Sequence, residues 1–206
     1  MSQKIRTALI SVYNKDGLDE ILSVLNSLNV KFISTGGTQQ FIESKGYECD
    51  SVESITGYPS ILGGRVKTLH PKVFGGILYR REEESDNDQI KQFDIPAIDL
   101  VIVDLYPFKE TVASGASDED IIEKIDIGGI SLIRAAAKNY KDVIIVPSKQ
   151  QYKPLLELLQ QKNGESEIED RCWFAREAFA VSSAYDSEIF SYFDGEEHHS
   201  LRLTAD

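Results

Sequence analysis

Short, almost wholly apolar runs alternate with segments of helical period along most of this chain, and that alternation admits few architectures. Thr7-Ala-Leu-Ile-Ser-Val12, Lys31-Phe-Ile-Ser-Thr35, Ile98-Asp-Leu-Val-Ile-Val-Asp-Leu105 and Val143-Ile-Ile-Val146 are strand-length and carry too little polar patterning to leave one face in water. Between them, Leu18, Ile21, Leu22, Leu25 and Leu28 recur at helical spacing, with Asp19 and Glu20 in the first turn. A short helix follows through Phe41 and Ile42 to Gly46, another is expected over Glu119–Ile125, and Gly128-Gly129 opens a third that runs through Ala137. A βαβα order of this kind predicts an α/β fold: a mostly parallel sheet with helices on both faces. Residues 1–147 make up this core. Residues 148–194 read as a helical segment that completes the domain, with Ser148 as a cap and aromatic residues from Trp173 to Phe193. Residues 195–206 read as a linker or tail.

Ligands of such sheets bind beyond the carboxyl ends of the strands, so the residues there bear most on function. Tyr13, Asn14 and Lys15 follow the first strand, and Lys15 just before a helix suits a phosphate. Thr35, Gly36, Gly37 and Thr38 follow the second; two glycines among hydroxyls form either an oxygen-binding cradle or a capped tight turn. The spacing fits neither a P-loop nor a dinucleotide fingerprint. Val103, Asp104 and Tyr106 end the long strand, where Pro107 fixes the tyrosine at the sheet rim. Asp126 stands before a helix start as a cap or a polar ligand-binding group, with Ile127 beside it. Lys138 lies about three turns further on, too far to need the same ligand if the helix is regular.

Charge singles out one further segment. The chain has a formal net charge of -12, which argues against wholesale binding to nucleic acid or an anionic membrane. Yet the window from Gly63 to Arg81 holds Arg65, Lys67, Lys72, Arg80 and Arg81 and no acidic residue. Glycines beside Arg65 and Lys67 let backbone amides approach a ligand, and the interleaved Val66, Leu69, Pro71 and Val73, with Thr68 among them, argue for a loop partly packed against the body. Arg80 and Arg81 read instead as surface charges answering Glu82–Glu84. Cys49 and Cys172 show no metal-type spacing and read as reduced, partly buried thiols of a cytoplasmic protein; no run has the length of a membrane span.

In chain order, Ser-Val-x-x-Lys-x-Gly-Leu, Ser-Thr-Gly-Gly-Thr, Leu-Gly-Gly-Arg-Val-Lys-Thr-Leu-His-Pro, Asp-Leu-Tyr-Pro-Phe and Ile-Asp-Ile-Gly-Gly-x-x-Leu-Ile-Arg-Ala-Ala-Ala-Lys-Asn together resemble inosine monophosphate cyclohydrolase. That family is the N-terminal half of the bifunctional purine-biosynthesis enzyme that also carries a formyltransferase. The resemblance runs from Ala8 to about Phe193 and implies a methylglyoxal-synthase-like fold. It implies a purine nucleotide substrate closed to IMP with loss of water, no cofactor or metal, a homodimer, and a formyltransferase partner that is covalent or separate.

By the same resemblance, Lys67 supports the developing oxyanion with Tyr106, and Asp126 and Lys138 move protons. Tyr13–Lys15 and Thr35–Thr38 cradle phosphate and ribose, Arg65–Thr68 runs along the base, and Val103, Asp104 and Ile127 complete the pocket. Asp104 stands where the family commonly has Asn, a change that a protonated carboxyl would compensate. Tyr140 replaces a common His, and Tyr13 and Asn14 replace Ser and Asp. A regulatory nucleotide-binding module of the same fold, like the effector domain of carbamoyl phosphate synthetase, needs the phosphate cradle without Lys67, Tyr106, Asp126 and Lys138 together. Methylglyoxal synthase itself should lack the Arg-Val-Lys-Thr-Leu-His-Pro stretch.

Overall fold

A computed structural model describes residues 2–195. In chain order its elements are β1 (Gln3–Lys4), β2 (Thr7–Val12), α1 (Leu18–Ser27), β3 (Lys31–Ser34), α2 (Gly36–Ser44), β4 (Asp50–Ser51), α3 (Val52–Thr56), α4 (Pro71–Leu78) and α5 (Glu84–Gln92). There follow β5 (Leu100–Asp104), α6 (Phe108–Ala113), α7 (Asp118–Ile122), α8 (Ile127–Lys138), β6 (Ile144–Val146), α9 (Tyr152–Gln161), β7 (Glu165–Ser166) and α10 (Ile168–Gly195). Of the tail expected from residue 195, only Gly195 falls within the described residues, where it closes α10.

Five strands pair in the order β4-β3-β2-β5-β6, every pair parallel. Strand residues divide between the two faces with a period of two. Ala8, Ile10, Val12, Leu100, Ile102, Ile144 and Val146 pack with Leu18, Ile21, Leu22 and Leu25 of α1 and with Leu155 and Leu159 of α9. Leu9, Val101, Val103 and Ile145 face the other way, onto Val73 and Ile77 of α4 and Leu132, Ile133 and Ala136 of α8. Burial on both sides is why these runs read as continuous apolar stretches. α10 packs along α8 and β6, and its far half joins Phe108 and Ile121 in a third cluster through Tyr185.

Four expectations change. The basic window is not all loop: His70 Nδ1 accepts the Lys72 amide at 3.1 Å, and Pro71 starts α4. Arg81 is no surface charge answering Glu82–Glu84. It pairs with Asp99 at 2.6 Å and donates to the Ile98 carbonyl at 3.0 Å, while the other Asp99 oxygen accepts the Arg6 and Thr7 amides at 2.7 and 2.8 Å. Arg80 pairs with Asp86. The helix expected over Glu119–Ile125 is α7, which stops at Ile122, so Glu123–Ile125 turn towards the sheet end. Cys172 is exposed, while burial, with Glu43 and Asp50, pushes the half-buried Cys49 thiol up to about 12.

α4 reaches the sheet by a contact that only glycine permits. A Cβ on Gly76 would stand 2.2 Å from the Pro96 carbonyl oxygen, whereas one on Gly75 meets only the Ile95 side chain at 3.0 Å. Gly76→Ala is therefore expected to lower unfolding free energy by about 2–3 kcal/mol in denaturant titration, and Gly75→Ala by clearly less. Equal effects would place the constraint elsewhere.

Candidate active site

Three strand ends and two glycine-rich turns meet at the carboxyl edge of the sheet around a cavity of about 680 Å³. After β2 the chain folds back so that Lys15 Nζ donates to the carbonyls of Val12 and Tyr13 at 3.0 and 2.8 Å. After β3 the Thr35-Gly-Gly-Thr38 segment becomes the first turn of α2, with free amides facing the cavity. Thr38 Oγ1 ties that turn to β2 by accepting the Val12 amide at 3.2 Å and donating to the Val12 carbonyl at 2.9 Å. Two lysines converge here: Lys67 Nζ lies 3.3 Å from where a Gly36 Cβ would stand, and Lys15 Nζ 3.9 Å from the corresponding point on Gly37. Burial holds the Lys15 ammonium below the ordinary lysine value; Asp104 opposes this and Lys67 adds to it. Two cations over a helix N-terminus make an anion site.

Lys67 arrives from a turn that glycine makes possible. Gly63 and Gly64 have φ of 64° and 90°, and the turn delivers Thr68, which is buried against the start of α8. There a Cβ on Gly128 would meet Thr68 Oγ1 at 2.9 Å. Asp126 caps α8, its carboxylate accepting the Gly129 amide at 2.6 Å. Burial pushes this carboxyl above the usual carboxylate range, while the Gly129 and Tyr106 amides and the charge of Lys67 pull it down.

The wall between these groups is β5. Asp104 accepts the Asn14 amide at 2.9 Å through its side chain and the Tyr13 amide at 3.2 Å through its carbonyl; burial raises its carboxyl too. Tyr106, 41% exposed, meets the Tyr13 ring edge-on at 5.5 Å, with Lys124 Nζ 5.7 Å from its centroid. Burial raises its phenol, with Asp126 and Tyr13 adding to the effect. The cavity thus has a cationic end at α2 and a proton-carrying end at Asp126 and Tyr106, with Lys67 acting on both.

Of the residues singled out from sequence, Tyr13, Lys15, Thr35, Gly37, Thr38, Arg65, Lys67, Thr68, Asp104, Tyr106, Asp126 and Ile127 line the cavity. Gly36 lies at its edge beneath Lys67. Asn14 contributes its backbone amide while its side chain accepts the Asp16 amide. Val66 does not line the cavity, and Val103 is buried in the core behind it. Lys138 is not brought there. It is exposed at the far end of α8, a helix of 12 residues and thus roughly 18 Å long. Sequence reasoning missed Glu123 and Lys124, which line the cavity from the turn after α7 and carry no motif signal. Glu123 pairs with Arg65 across the mouth. Among the described residues, no group of three or more His, Cys, Asp or Glu side chains is placed to hold a metal, and no helix is long and apolar enough to cross a membrane.

Comparison with known proteins identifies the family of the fold. A family model described as an MGS-like domain matches residues 17–131, and one described as AICARFT/IMPCHase bienzyme matches residues 136–205. The bifunctional purine biosynthesis protein PurH of Bacteroides thetaiotaomicron is 66% identical over 204 residues, covering 99% of this chain and 40% of that protein. PurH of Aquifex aeolicus is 45% identical over 186 residues, covering 90% of this chain and 36% of that protein. The chain therefore spans about two-fifths of the length of these relatives. The crystal structure of ForH superposes with a TM-score of 0.76 at 34% identity, over 92% of this chain and 98% of that one. With a family model running from α1 into α8 and a solved relative matched almost end to end, the chain belongs to the MGS-like domain family.

Proposed function

We propose that this chain is an IMP cyclohydrolase, closing the second purine ring of 5-formamidoimidazole-4-carboxamide ribonucleotide. The observation that carries the reading is Lys67. It stands between an anion cradle at α2 and the Asp126–Tyr106 pair, within one cavity of nucleotide size. Lys15 and the α2 amides take the phosphate, which leaves the base directed towards Lys67, Tyr106 and Asp126.

The reacting groups belong to one molecule, so holding them in an attack geometry supplies much of the rate. The carboxamide nitrogen bonds to the formyl carbon and gives up a proton, and the formyl oxygen takes one to become a hydroxyl. That hydroxyl leaves as water with the proton of the formamido nitrogen, and a C=N bond forms. Ionised Asp126 accepts a proton, the Tyr106 phenol donates towards the oxygen, and Lys67 stabilises its negative charge. The raised Asp126 value makes its carboxylate a better proton acceptor than an ordinary one, and the raised Tyr106 value keeps the phenol protonated and able to donate. The part of Lys138 in proton transfer rests on the resemblance alone.

Similarity to bifunctional proteins supports a formyltransferase as covalent or separate partner. Phe179, Phe190 and Phe193, exposed on α10, support self-association as a homodimer. A cytoplasmic location accords with the same similarity.

Three outcomes test the reading. In a cofactor-free absorbance assay the wild-type chain forms IMP, and Lys67→Ala lowers kcat by about 10²-fold or more; a wild type that binds nucleotide without forming IMP reverts to the regulatory-module reading. Because burial raises the Asp126 carboxyl, its proton-accepting form is lost as pH falls through a value above the usual carboxylate range. The kcat profile should therefore rise with pH through that value, and Asp126→Asn should abolish both this limb and most turnover; a limb that survives belongs to another group. Asp104→Asn keeps an acceptor for the Asn14 amide and adds a permanent donor, so ring closure is retained or improved. A large loss of kcat would show that the charge at Asp104 is needed.

A further inference from the structure

The turn that presents Asp126 is held from outside the cavity by a residue nearly sixty positions later. Tyr185, 6% exposed on α10, accepts the Asp126 amide at 2.7 Å through its hydroxyl and donates to the Lys124 carbonyl at 2.9 Å. Both partners need it. As the cap of α8, Asp126 has an amide outside the helical ladder, and the Lys124 carbonyl lies in a turn with no helix to satisfy it. The ring cannot drift, because it packs edge-on against Phe108 at 6.2 Å within the cluster that includes Ile121. Burial pushes the hydroxyl up to about 12, so it keeps its proton and both bonds across the working pH range.

We propose that Tyr185 is a positioning residue for the reaction: its hydroxyl clamps Lys124 to Asp126 so that the Asp126 carboxylate faces the cavity and the Lys124 ammonium stays over the Tyr106 ring. The hydroxyl closes the two ends of one turn, and that turn carries Glu123, Lys124 and Asp126 into the cavity lining. α10 thereby sets the distance between the proton acceptor and the phenol, although it lines no part of the cavity. The kinetic form of this proposal rests on the ring-closing reading, whereas the clamp itself does not.

Tyr185→Phe keeps the ring and removes only the hydroxyl. In the chain as it stands, kcat should fall by about tenfold with KM changed less than about twofold, since the loss is of orientation and not of nucleotide binding. The Asp126 carboxyl faces Lys67 from the glycine turn and Tyr106 from the segment after β5, with Glu123 and Lys124 lining the same cavity from its own turn and Tyr185 of α10 on its backbone side. Loosening the turn admits water to it, so its titration, followed by carbon NMR on labelled aspartate, should move down towards the ordinary carboxylate range. Tyr192→Phe is the control: it removes another α10 hydroxyl, the one bonded to Asp118, and should leave kcat and the Asp126 titration at wild-type values. An unchanged kcat in Tyr185→Phe, or an equal loss in Tyr192→Phe, would overturn the proposal in favour of a merely structural hydroxyl. If the wild type forms no IMP, the ring-closing reading fails, and the Asp126 titration alone then decides the clamp: moved, it stands; unmoved, it falls.

Discussion

Two glycines at the start of α8, by leaving room for the Thr68 and Asp126 side chains, make the cavity possible. A Cβ on Gly128 would press on Thr68 Oγ1 at 2.9 Å, and one on Gly129 would meet the Asp126 carboxylate at 2.6 Å. Because neither exists, the turn carrying Arg65–Thr68 packs directly against the first residues of α8, and the Asp126 carboxylate folds over its own helix end. Any larger residue at either position would part the basic turn from the acidic cap. The separation of Lys67 from Asp126 is thus set by van der Waals contact, which is far stiffer than an ion pair between two long side chains in water.

On that frame the electrostatics are deliberately uneven. In a chain of net charge -12, two lysines converge over the one helix start that follows β3, and Lys15 is held below its ordinary value by burial and by Lys67. Like charges so placed oppose one another until an anion arrives, so a phosphate gains from both ammonium groups and from the helix amides at once. At the opposite end burial raises Tyr106 and Asp126, and on the wall between the two ends it raises Asp104 beside Lys15. Positive charge at the binding end is costly until an anion relieves it, and negative charge at the proton-exchanging end is costly through burial, so both ends are tuned by the substrate they hold.

Much of this was legible in the sequence because the sheet is buried on both faces. A strand such as Leu100–Asp104 has no exposed side to blur its apolar run, and β2 extends over the same Thr7–Val12 that the pattern indicates. Strand ends then locate the loops, and the loops locate Lys15, Lys67, Tyr106 and Asp126. What escaped has other causes. α4 hides behind Pro71, Gly75 and Gly76, a composition that spells loop until one sees that the glycines allow contact with Pro96. Arg81 looks like one of a run of surface charges, and only the fold brings it to Asp99 beside the start of β2. Glu123 and Lys124 sit in a polar stretch that propensity extends as helix, whereas the chain must turn there to place Asp126 as a cap. Lys138 shows the converse: regular helical rise already separates it from Asp126, and the structure keeps that separation.

The C-terminal helix ties these observations into one domain. Arg171, 1% exposed, binds the Tyr140 carbonyl at 3.0 Å and the Ser166 hydroxyl at 3.0 Å, fixing the near end of α10 to the chain that leaves α8. Fourteen residues on, roughly four helical turns, Tyr185 holds the turn that enters α8. One rigid helix therefore grips both ends of another, and the gripped helix carries the capping carboxylate. Burying an arginine costs desolvation that burying a leucine would avoid; its bonds to Tyr140 and Ser166, with Asp142 and Glu167 acting on its charge, offset that cost and fix the register of α10 along α8. A register error of one residue would swing the Tyr185 hydroxyl away from Asp126 by about 100° of helix rotation. The length of α10 and its buried polar anchor are thus physical requirements of a cavity that it never touches.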